Sequence, residues 1–404
     1  MILQEQIEHT ITQQSNDLRK RTNELRREDL NAITDVPNFA NIVTGIRRCG
    51  KSTLLVQVME QLPNGESLYL NFDDITLSGF DKDDFVRLHK VIQQRKAKYL
   101  FFDEPQIING WEIFIHQLLR EKYHVYVSGS NASMLSTELG THLTGRHINT
   151  ELFPFSYNEY LTYTKQVPSA KSLGKYMNEG GMPEYLKSKR SIILRSLVDD
   201  ILIRDIAVRH NIRNIEQLRQ LALFLFTNNT KPYSANSLSK TIIGIATSTI
   251  LDYIDYMRNA YLIDTLGAYS TSIRATMRNP KKVYAIDMGI AAAITYSVSP
   301  DMGRFLENHV FLTLRKRHKG HLFYYSDEGG ECDFIVTDSA NIPQSAYQVC
   351  LQLTNENIGR EVKGLTSAMK RFNLDESTLV TLDTEDEIHT ELGCIHIVKG
   401  WQHF

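Results

Sequence analysis

The sequence predicts an α/β chain of several domains, with a parallel sheet and crossover helices first, a helical stretch and a three-helix-plus-hairpin module next, and a second α/β domain last. Three observations lead there. Short apolar runs separated by helical stretches recur from Phe39 to about Phe155, the pattern of parallel strands joined by helices. From Tyr157 to Ile206 strand signals fade and helical spacing takes over around the break Glu179-Gly180-Gly181-Met182-Pro183-Glu184. The 404 residues exceed the size at which a single hydrophobic core stops growing, so two or three domains are expected.

Composition narrows the class without naming a partner. With 42% apolar and 23% charged residues and a formal net charge of -2, the chain reads as an ordinary globular protein. Global charge selects no nucleic acid, so such contacts would need local basic patches. The start Met1-Ile2-Leu3-Gln4-Glu5-Gln6 has neither the positive nor the apolar region of a signal peptide, and no stretch offers ~18 uncharged apolar residues, so no membrane contact and a cytoplasmic location are expected. Cys49, Cys332, Cys350 and Cys394 are widely spaced, which indicates neither a zinc site nor a disulfide framework.

Taken in order, residues 1–30 carry many Gln, Glu and Arg residues with scattered Ile and Leu and read as an exposed helix. Residues 31–156 hold the parallel-sheet domain, with strands expected at Asn41 to Gly45, Ser67 to Phe72, Tyr99 to Asp103, His124 to Ser128 and His147 to Leu152. Residues 157–206 suggest a helical lid. Residues 207–298 show helices at Leu218 to Phe226, Ser234 to Thr241 and Ser248 to Asn259, then strands at Tyr261 to Asp264 and Lys282 to Ile286. Three helices and a hairpin are the winged-helix order. Residues 299–404 open with a helix, Phe305 to His318, and continue into strands at His321 to Ser326, Glu331 to Thr337, Ala346 to Leu353, Ser377 to Thr381 and Ile395 to Lys399.

The run Gly45-Ile46-Arg47-Arg48-Cys49-Gly50-Lys51-Ser52, followed by Thr53, has the spacing of a phosphate-binding loop. Such a loop wraps phosphate in backbone N–H groups and needs glycine where a side chain would collide or φ is positive. Lys51 would reach the β and γ phosphates of ATP. Ser52 would ligate Mg²⁺ at the start of a helix whose N-terminus faces the anion. A second motif supplies the context: Tyr99-Leu100-Phe101-Phe102-Asp103-Glu104 is an apolar strand ending in two acids, where parallel sheets bind ligands. Asp103 would hold the metal, and Glu104 would orient or deprotonate the attacking water. Ser130, in Ser128-Gly129-Ser130-Asn131, would contact the γ phosphate or its water, with helix capping as the alternative. Arg146 is a candidate arginine finger, in cis or into a neighbouring copy, with a surface arginine as the alternative.

These stretches form a larger set with Leu70-Asn71-Phe72-Asp73-Asp74, Phe102-Asp103-Glu104-Pro105-Gln106, Leu143-Thr144-Gly145-Arg146, Phe153-Pro154-Phe155-Ser156 and Gly180-Gly181-Met182-Pro183-Glu184. In that order they resemble the prokaryotic AAA-type ATPases, close to the STAND and archaeal-ATPase branch, that end in a domain of unknown function related to restriction endonucleases. The resemblance covers nearly the whole chain. It implies an AAA core, a winged helix and a PD-(D/E)xK nuclease-like end.

Such a nuclease needs a helix glutamate, a strand aspartate and an acid-x-Lys on the next strand. Glu307 and Asp333 fill the first two places, but Tyr347-Gln348-Val349-Cys350 puts Gln348 where the acid belongs and Cys350 where the lysine belongs. A nuclease fold without normal cleavage is the expectation, unless a displaced lysine such as Lys363 restores the site. Arg274, Arg278, Lys281 and Lys282, at the expected wing, and Arg315-Lys316-Arg317-His318-Lys319 could track DNA phosphates. A solvated face is the alternative. The expected function is therefore an ATP-binding and ATP-hydrolysing switch or motor acting on DNA or a protein partner, with a homo-oligomer among the candidate assemblies. The competing readings are a DNA-binding regulator that keeps ATP as a structural ligand and a metal-dependent nuclease.

Overall fold

A computed structural model describes residues 1–19, 24–131, 145–272, 278–295, 301–328 and 330–404. Arg274, Leu143 and Thr144 of the motifs above lie outside the described residues. The chain divides into two compact units, one of Met1–Pro154 with Asn259–Tyr261, the other of Phe155–Arg258 with Leu262–Phe404.

The first unit is a three-layer α/β structure. After helix α1 (Gln4–Arg19) come β1 (Ala40–Thr44), α2 (Lys51–Met59), β2 (Ser67–Asn71), α3 (Asp84–Arg95), β3 (Tyr99–Asp103), α4 (Trp111–Arg120), β4 (His124–Gly129) and β5 (His147–Glu151). The strands form one parallel sheet in the order β2-β3-β4-β1-β5, and all five lie within a residue or two of the sequence expectation. The central strands run apolar without alternation, as in Leu100, Phe101 and Phe102, all of them buried, the pattern of a parallel sheet covered on both faces, whereas the edge strand β5 is polar and only partly buried. With β1 between β4 and β5, and β4 between β1 and β3, the carboxyl ends of β3, β4 and β1 stand side by side. The register puts Asp103 beside Ser128 and Gly129 beside Thr44.

The first helix departs from expectation. Helix α1 is not an exposed helix, because Ile7 and Ile11 are fully buried and join the core formed with Leu68, Leu70, Val91 and Ile92. Its polar residues serve the fold as well: Gln14 Nε2 donates to Asn71 O at 3.1 Å, and Asn71 N donates to Gln14 Oε1 at 2.8 Å. Apolar residues at positions 7 and 11, one helical turn apart, make a narrow stripe that the surrounding charge masks in the sequence.

In the second unit, helices α5 (Tyr157–Thr164), α6 (Ala170–Glu179), α7 (Pro183–Ser188) and α8 (Ile192–Asp200) run into a π-helical turn at Ile201–Val208. Ser156 opens α5 with a capping box to Glu159. Next come α9 (Ile215–Thr227), β6 (Pro232–Tyr233), α10 (Ala235–Thr241), α11 (Thr247–Asn259), β7 (Ile263–Gly267) and β8 (Lys281–Ala285). The last two strands pair antiparallel, and β6 joins the free edge of β8. The Gly180-Gly181 break has a structural task. Gly181 N donates to Asp287 Oδ2 at 2.7 Å and Phe155 N donates to Gly181 O at 2.9 Å. Burial pushes the Asp287 carboxyl up to about 6 against the lowering effect of the Gly181, Ile290 and Gly289 amides.

The chain ends with α12 (Met288–Ile294), α13 (Met302–Arg317), β9 (Leu322–Asp327), β10 (Gly330–Thr337), β11 (Pro343–Val349), α14 (Ile358–Phe372), β12 (Glu376–Thr381), β13 (Asp386–Thr390), β14 (Gly393–Lys399) and the short α15 (Gly400–His403). Six strands make a mixed sheet in the order β13-β14-β12-β11-β10-β9, with α14 laying Leu365, Ala368 and Met369 on one face. No helix among the described residues is long and apolar enough to cross a membrane.

Replacing Ile11 by Ala should cost about 2–5 kcal/mol, as for other buried large-to-small changes. Leu3→Ala, at a site 70% exposed, should stay within about 0.5 kcal/mol. Denaturant unfolding of the two variants measures both, and equal small losses would restore the picture of an exposed α1.

Candidate nucleotide site

The loop between β1 and α2 is held in shape from below. Gly50 takes φ of 105°, a left-handed value that glycine adopts without strain. At Gly45 the constraint is space: a Cβ would stand 2.1 Å from Leu152 O. Beneath the loop lies Arg27, only 2% exposed. Its Nη1 donates to Cys49 O and its Nη2 to Phe153 O, each at 2.7 Å, while its own N–H donates to Gln57 Oε1 of α2 at 3.0 Å. One guanidinium therefore ties the loop to the chain leaving β5. Burial raises the Cys49 thiol above its ordinary pKa, so this cysteine packs as a neutral side chain rather than reacting.

Lys51 is buried. Its ammonium donates to Gly45 O at 3.1 Å and Ile46 O at 3.2 Å and lies 3.7 Å from Glu104 Oε1. Next to it, Ser52 Oγ donates to Asp103 Oδ2 at 2.5 Å. Asp103 is 2% exposed and takes two more hydroxyl donors, Tyr69 at 2.7 Å on the same oxygen and Ser128 on Oδ1. A buried carboxylate is costly unless hydrogen-bonded, and these donors come from α2, β2 and β4. Glu104 follows at φ of 53°, a strained left-handed conformation for a non-glycine residue. The turn swings its carboxylate out of the strand, where Oε2 accepts from Gln106 Nε2 and from Ser130 Oγ, the latter at 3.1 Å. The structure thus gathers Lys51, Ser52, Asp103, Glu104 and Ser130 at one sheet edge. Thr53 and Arg47 are half-buried nearby and Arg48 is exposed.

The oxygen set fits a hard divalent cation. A buried carboxylate with an adjacent serine hydroxyl is the donor chemistry Mg²⁺ accepts, and Ser52 and Asp103 supply it.

Arg146 is placed differently. Strand β5 runs parallel to β1 with His147 opposite Ala40 and Glu151 opposite Thr44, and Arg146 O accepts from Ala40 N. Arg146 precedes β5 while the loop follows β1, its parallel neighbour, so the length of a five-residue strand, roughly 16 Å at ~3.3 Å per residue, separates them along the sheet. Its side chain is exposed.

The second unit brings Glu307 and Asp333 together, but about a lysine from neither expected position. Lys282 is 3% exposed and pairs with Glu307, Glu331 and Asp333, so it is not a free wing residue able to touch DNA. Burial opposes its charge, yet Asp333, Tyr284, Glu307 and Glu331 hold its pKa well above the usual lysine value. Glu307 is shifted upward by burial and by Asp333. Lys363 is exposed. Arg278 is exposed and Lys281 half-buried. In the second basic run, Arg315 pairs with Asp264 and Arg317 Nη2 donates to His403 O at 3.0 Å.

Sequence reasoning missed Arg27 and Tyr69, and it assigned Lys282 to the wing rather than to the acid cluster. Arg27 hides in the charged run Arg26-Arg27-Glu28, and its one signal is Leu25 and Leu30 flanking it.

A parallel sheet whose first strand feeds a glycine-bounded loop and helix, with paired acids at the end of a neighbouring strand, defines a P-loop domain of the AAA type. A family model described as an AAA domain matches residues 37–161, and one described as a domain of unknown function (DUF8612) matches residues 170–300. The chain is 31% identical over 397 residues to the uncharacterized protein MJ1544 of Methanocaldococcus jannaschii, covering 91% of this chain and 88% of that one; it belongs to that protein's family. It is 28% identical over 340 residues to an uncharacterized protein of Haemophilus influenzae, covering 77% and 83%. Among solved structures, the Walker-type ATPase of Pyrococcus abyssi shares 16% identity over 68% of this chain and 97% of its own, with a TM-score of 0.44, a partial likeness.

Arg27→Met removes two charged hydrogen bonds and should destabilise the first unit by about 1.5–3 kcal/mol. Arg26→Met, at an exposed position, should change stability by no more than about 0.5 kcal/mol. Chemical denaturation followed by far-ultraviolet circular dichroism distinguishes the two, and equal effects would mean that Arg27 does not brace the loop.

Proposed function

We propose that this chain is a Mg²⁺-dependent ATPase whose nucleotide state drives a switch or motor acting on DNA or a protein partner. The observation that carries the reading is the contact of Ser52 Oγ with Asp103 Oδ2 at 2.5 Å, with the Lys51 ammonium 3.7 Å from Glu104. A helix-opening hydroxyl, a phosphate-reaching lysine and two strand-end acids meet at one point. Each has a task in phosphoryl transfer.

The backbone N–H groups of residues 45–53 cradle the phosphates, and Lys51 leaves its loop carbonyls to reach the β and γ oxygens. Ser52 and Asp103 hold Mg²⁺, which supplies neutralisation of the phosphate oxygens' charge when bound. Glu104 orients the attacking water and accepts its proton. Ser130 keeps Glu104 aimed and is within reach of the same water. Because Arg146 lies ahead of β5, beside the start of β1, its catalytic role would be in trans, in a homo-oligomer.

For the second unit, the order α9, α10, α11, β7, β8 supports a winged helix. The mixed sheet flanked by α13 and α14, with Glu307 and Asp333 close together, supports a nuclease-like domain that no longer cleaves. Contact with DNA through the wing would fall to Arg274, Arg278 and Lys281, without Lys282. A cytoplasmic setting fits this role.

Lys51→Ala should abolish ATP binding in a fluorescent-nucleotide titration. Glu104→Gln should bind ATP as the wild type does but hydrolyse it about 10²–10⁴-fold more slowly, the usual contribution of a general base. Unchanged phosphate release in both variants would refute the reading. Tight binding without turnover in the wild-type chain, with or without DNA, would favour the regulator with ATP as a structural ligand.

A further inference from the structure

Lys282, on β8, places its ammonium where three carboxylates converge. Its Nζ lies 2.7 Å from Glu331 Oε1, 2.8 Å from Asp333 Oδ1 and 3.2 Å from Glu307 Oε1. Of the three N–H donors of the ammonium, two are hydrogen-bonded to Glu307 and Asp333, and Glu331 completes the cluster as an ion pair. Glu331 and Asp333 project from one face of β10 at the two-residue period of a strand, and Glu307 comes from α13.

Neutral donors add to the cluster. Tyr284 Oη donates to Glu307 Oε1 at 2.9 Å, and Val349 N donates to Asp333 Oδ2 at 3.0 Å. Gln348 is turned to other work: Oε1 accepts from Asp333 N at 3.2 Å and Nε2 donates to Glu361 Oε2 at 2.9 Å. Cys350 donates its thiol proton to Gln352 O at 3.1 Å. A divalent cation needs several oxygens aimed at one open point. Here that point is the ammonium nitrogen, so the residues do not fit a resident metal.

We propose that Lys282 is the built-in cation of this cluster, its ammonium standing where a divalent metal would otherwise sit among Glu307, Glu331 and Asp333. The folded chain then binds no metal there, and the ion cluster fastens β8 to α13 and β10. The presence of Gln348 and Cys350, rather than an acid and a lysine, fits the same arrangement, since with an internal cation neither position has a metal or a water to serve. The inference rests on these contacts and not on the ATPase reading.

Removing the ammonium tests it. Lys282→Met keeps the length of the side chain but leaves three carboxylates without a counter-charge. In EDTA, without nucleotide, the full-length variant should lose roughly 10 °C in thermal midpoint, because an unpaired buried charge is strongly destabilising. Millimolar Mn²⁺ should restore most of the loss, and Mn²⁺ counting by electron paramagnetic resonance should find one more ion per chain than in the wild type. Adding Asp333→Asn to that variant should remove the extra ion. In the wild-type background, Asp333→Asn should leave the Mn²⁺ count unchanged, a comparison that decides the question even if Lys282→Met does not fold. A wild-type Mn²⁺ ion lost on Asp333→Asn, or a folded Lys282→Met chain that gains no ion and no stability from Mn²⁺, overturns the proposal.

Discussion

The buried Asp103 carboxylate organises the upper edge of the first sheet. Its charge could not stay at 2% exposure without donors, and it takes three hydroxyls, from Ser52, Tyr69 and Ser128. Those residues lie on α2, β2 and β4, so satisfying one charge brings three elements into register with β3. The strand order makes this possible. Because β4 separates β1 from β3, Ser128 stands between the loop that follows β1 and the acids that end β3, within reach of both. The helix α2 that carries Ser52 is aimed by the same contact.

Around that anchor the site carries both constraint and reserve. Glu104 is held in a strained backbone conformation, and such strain persists only where neighbouring structure over-determines it; Gln106 and Ser130 do so by fixing its carboxylate. Lys51 is satisfied by two loop carbonyls and by proximity to Glu104. An anionic ligand would draw that ammonium away and leave Glu104 free to engage water, so one event would fill the loop and release the acid. Arg27 ties the loop to Phe153 through its two hydrogen bonds. The second unit repeats the same physical logic at Lys282, with the signs reversed: one buried cation is satisfied by acids from α13 and β10.

Much of the first sheet was legible because its evidence is local. Tyr99–Asp103 is five apolar or strand-ending residues in a row, and Gly45 to Ser52 holds its spacing within eight residues. The second unit's elements were legible in outline, but β13 and α14 were not picked out: Asp386–Thr390 is a charged edge strand, and edge strands lack the apolar run that marks a buried one. Long-range partners were not legible at all. Arg27 reaches across 126 residues to Phe153, Tyr69 across 34 to Asp103, and Lys282 across 51 to Asp333. In sequence, each looks like a surface cation or a core aromatic. Their roles come from strand order and helix placement, which local spacing does not encode. For Arg146 the sequence left open a role in cis or in trans, and the direction of β5 places it beside the start of β1, a fact that local spacing does not carry.

The most direct test of the central claim is inorganic phosphate release from ATP by the purified wild-type chain, with Mg²⁺ present and with Mg²⁺ removed by EDTA. Sustained release over many turnovers in Mg²⁺, falling to background in EDTA, is the predicted result. ATP that binds yet stays intact in both conditions, or release that is the same with and without the metal, would contradict it.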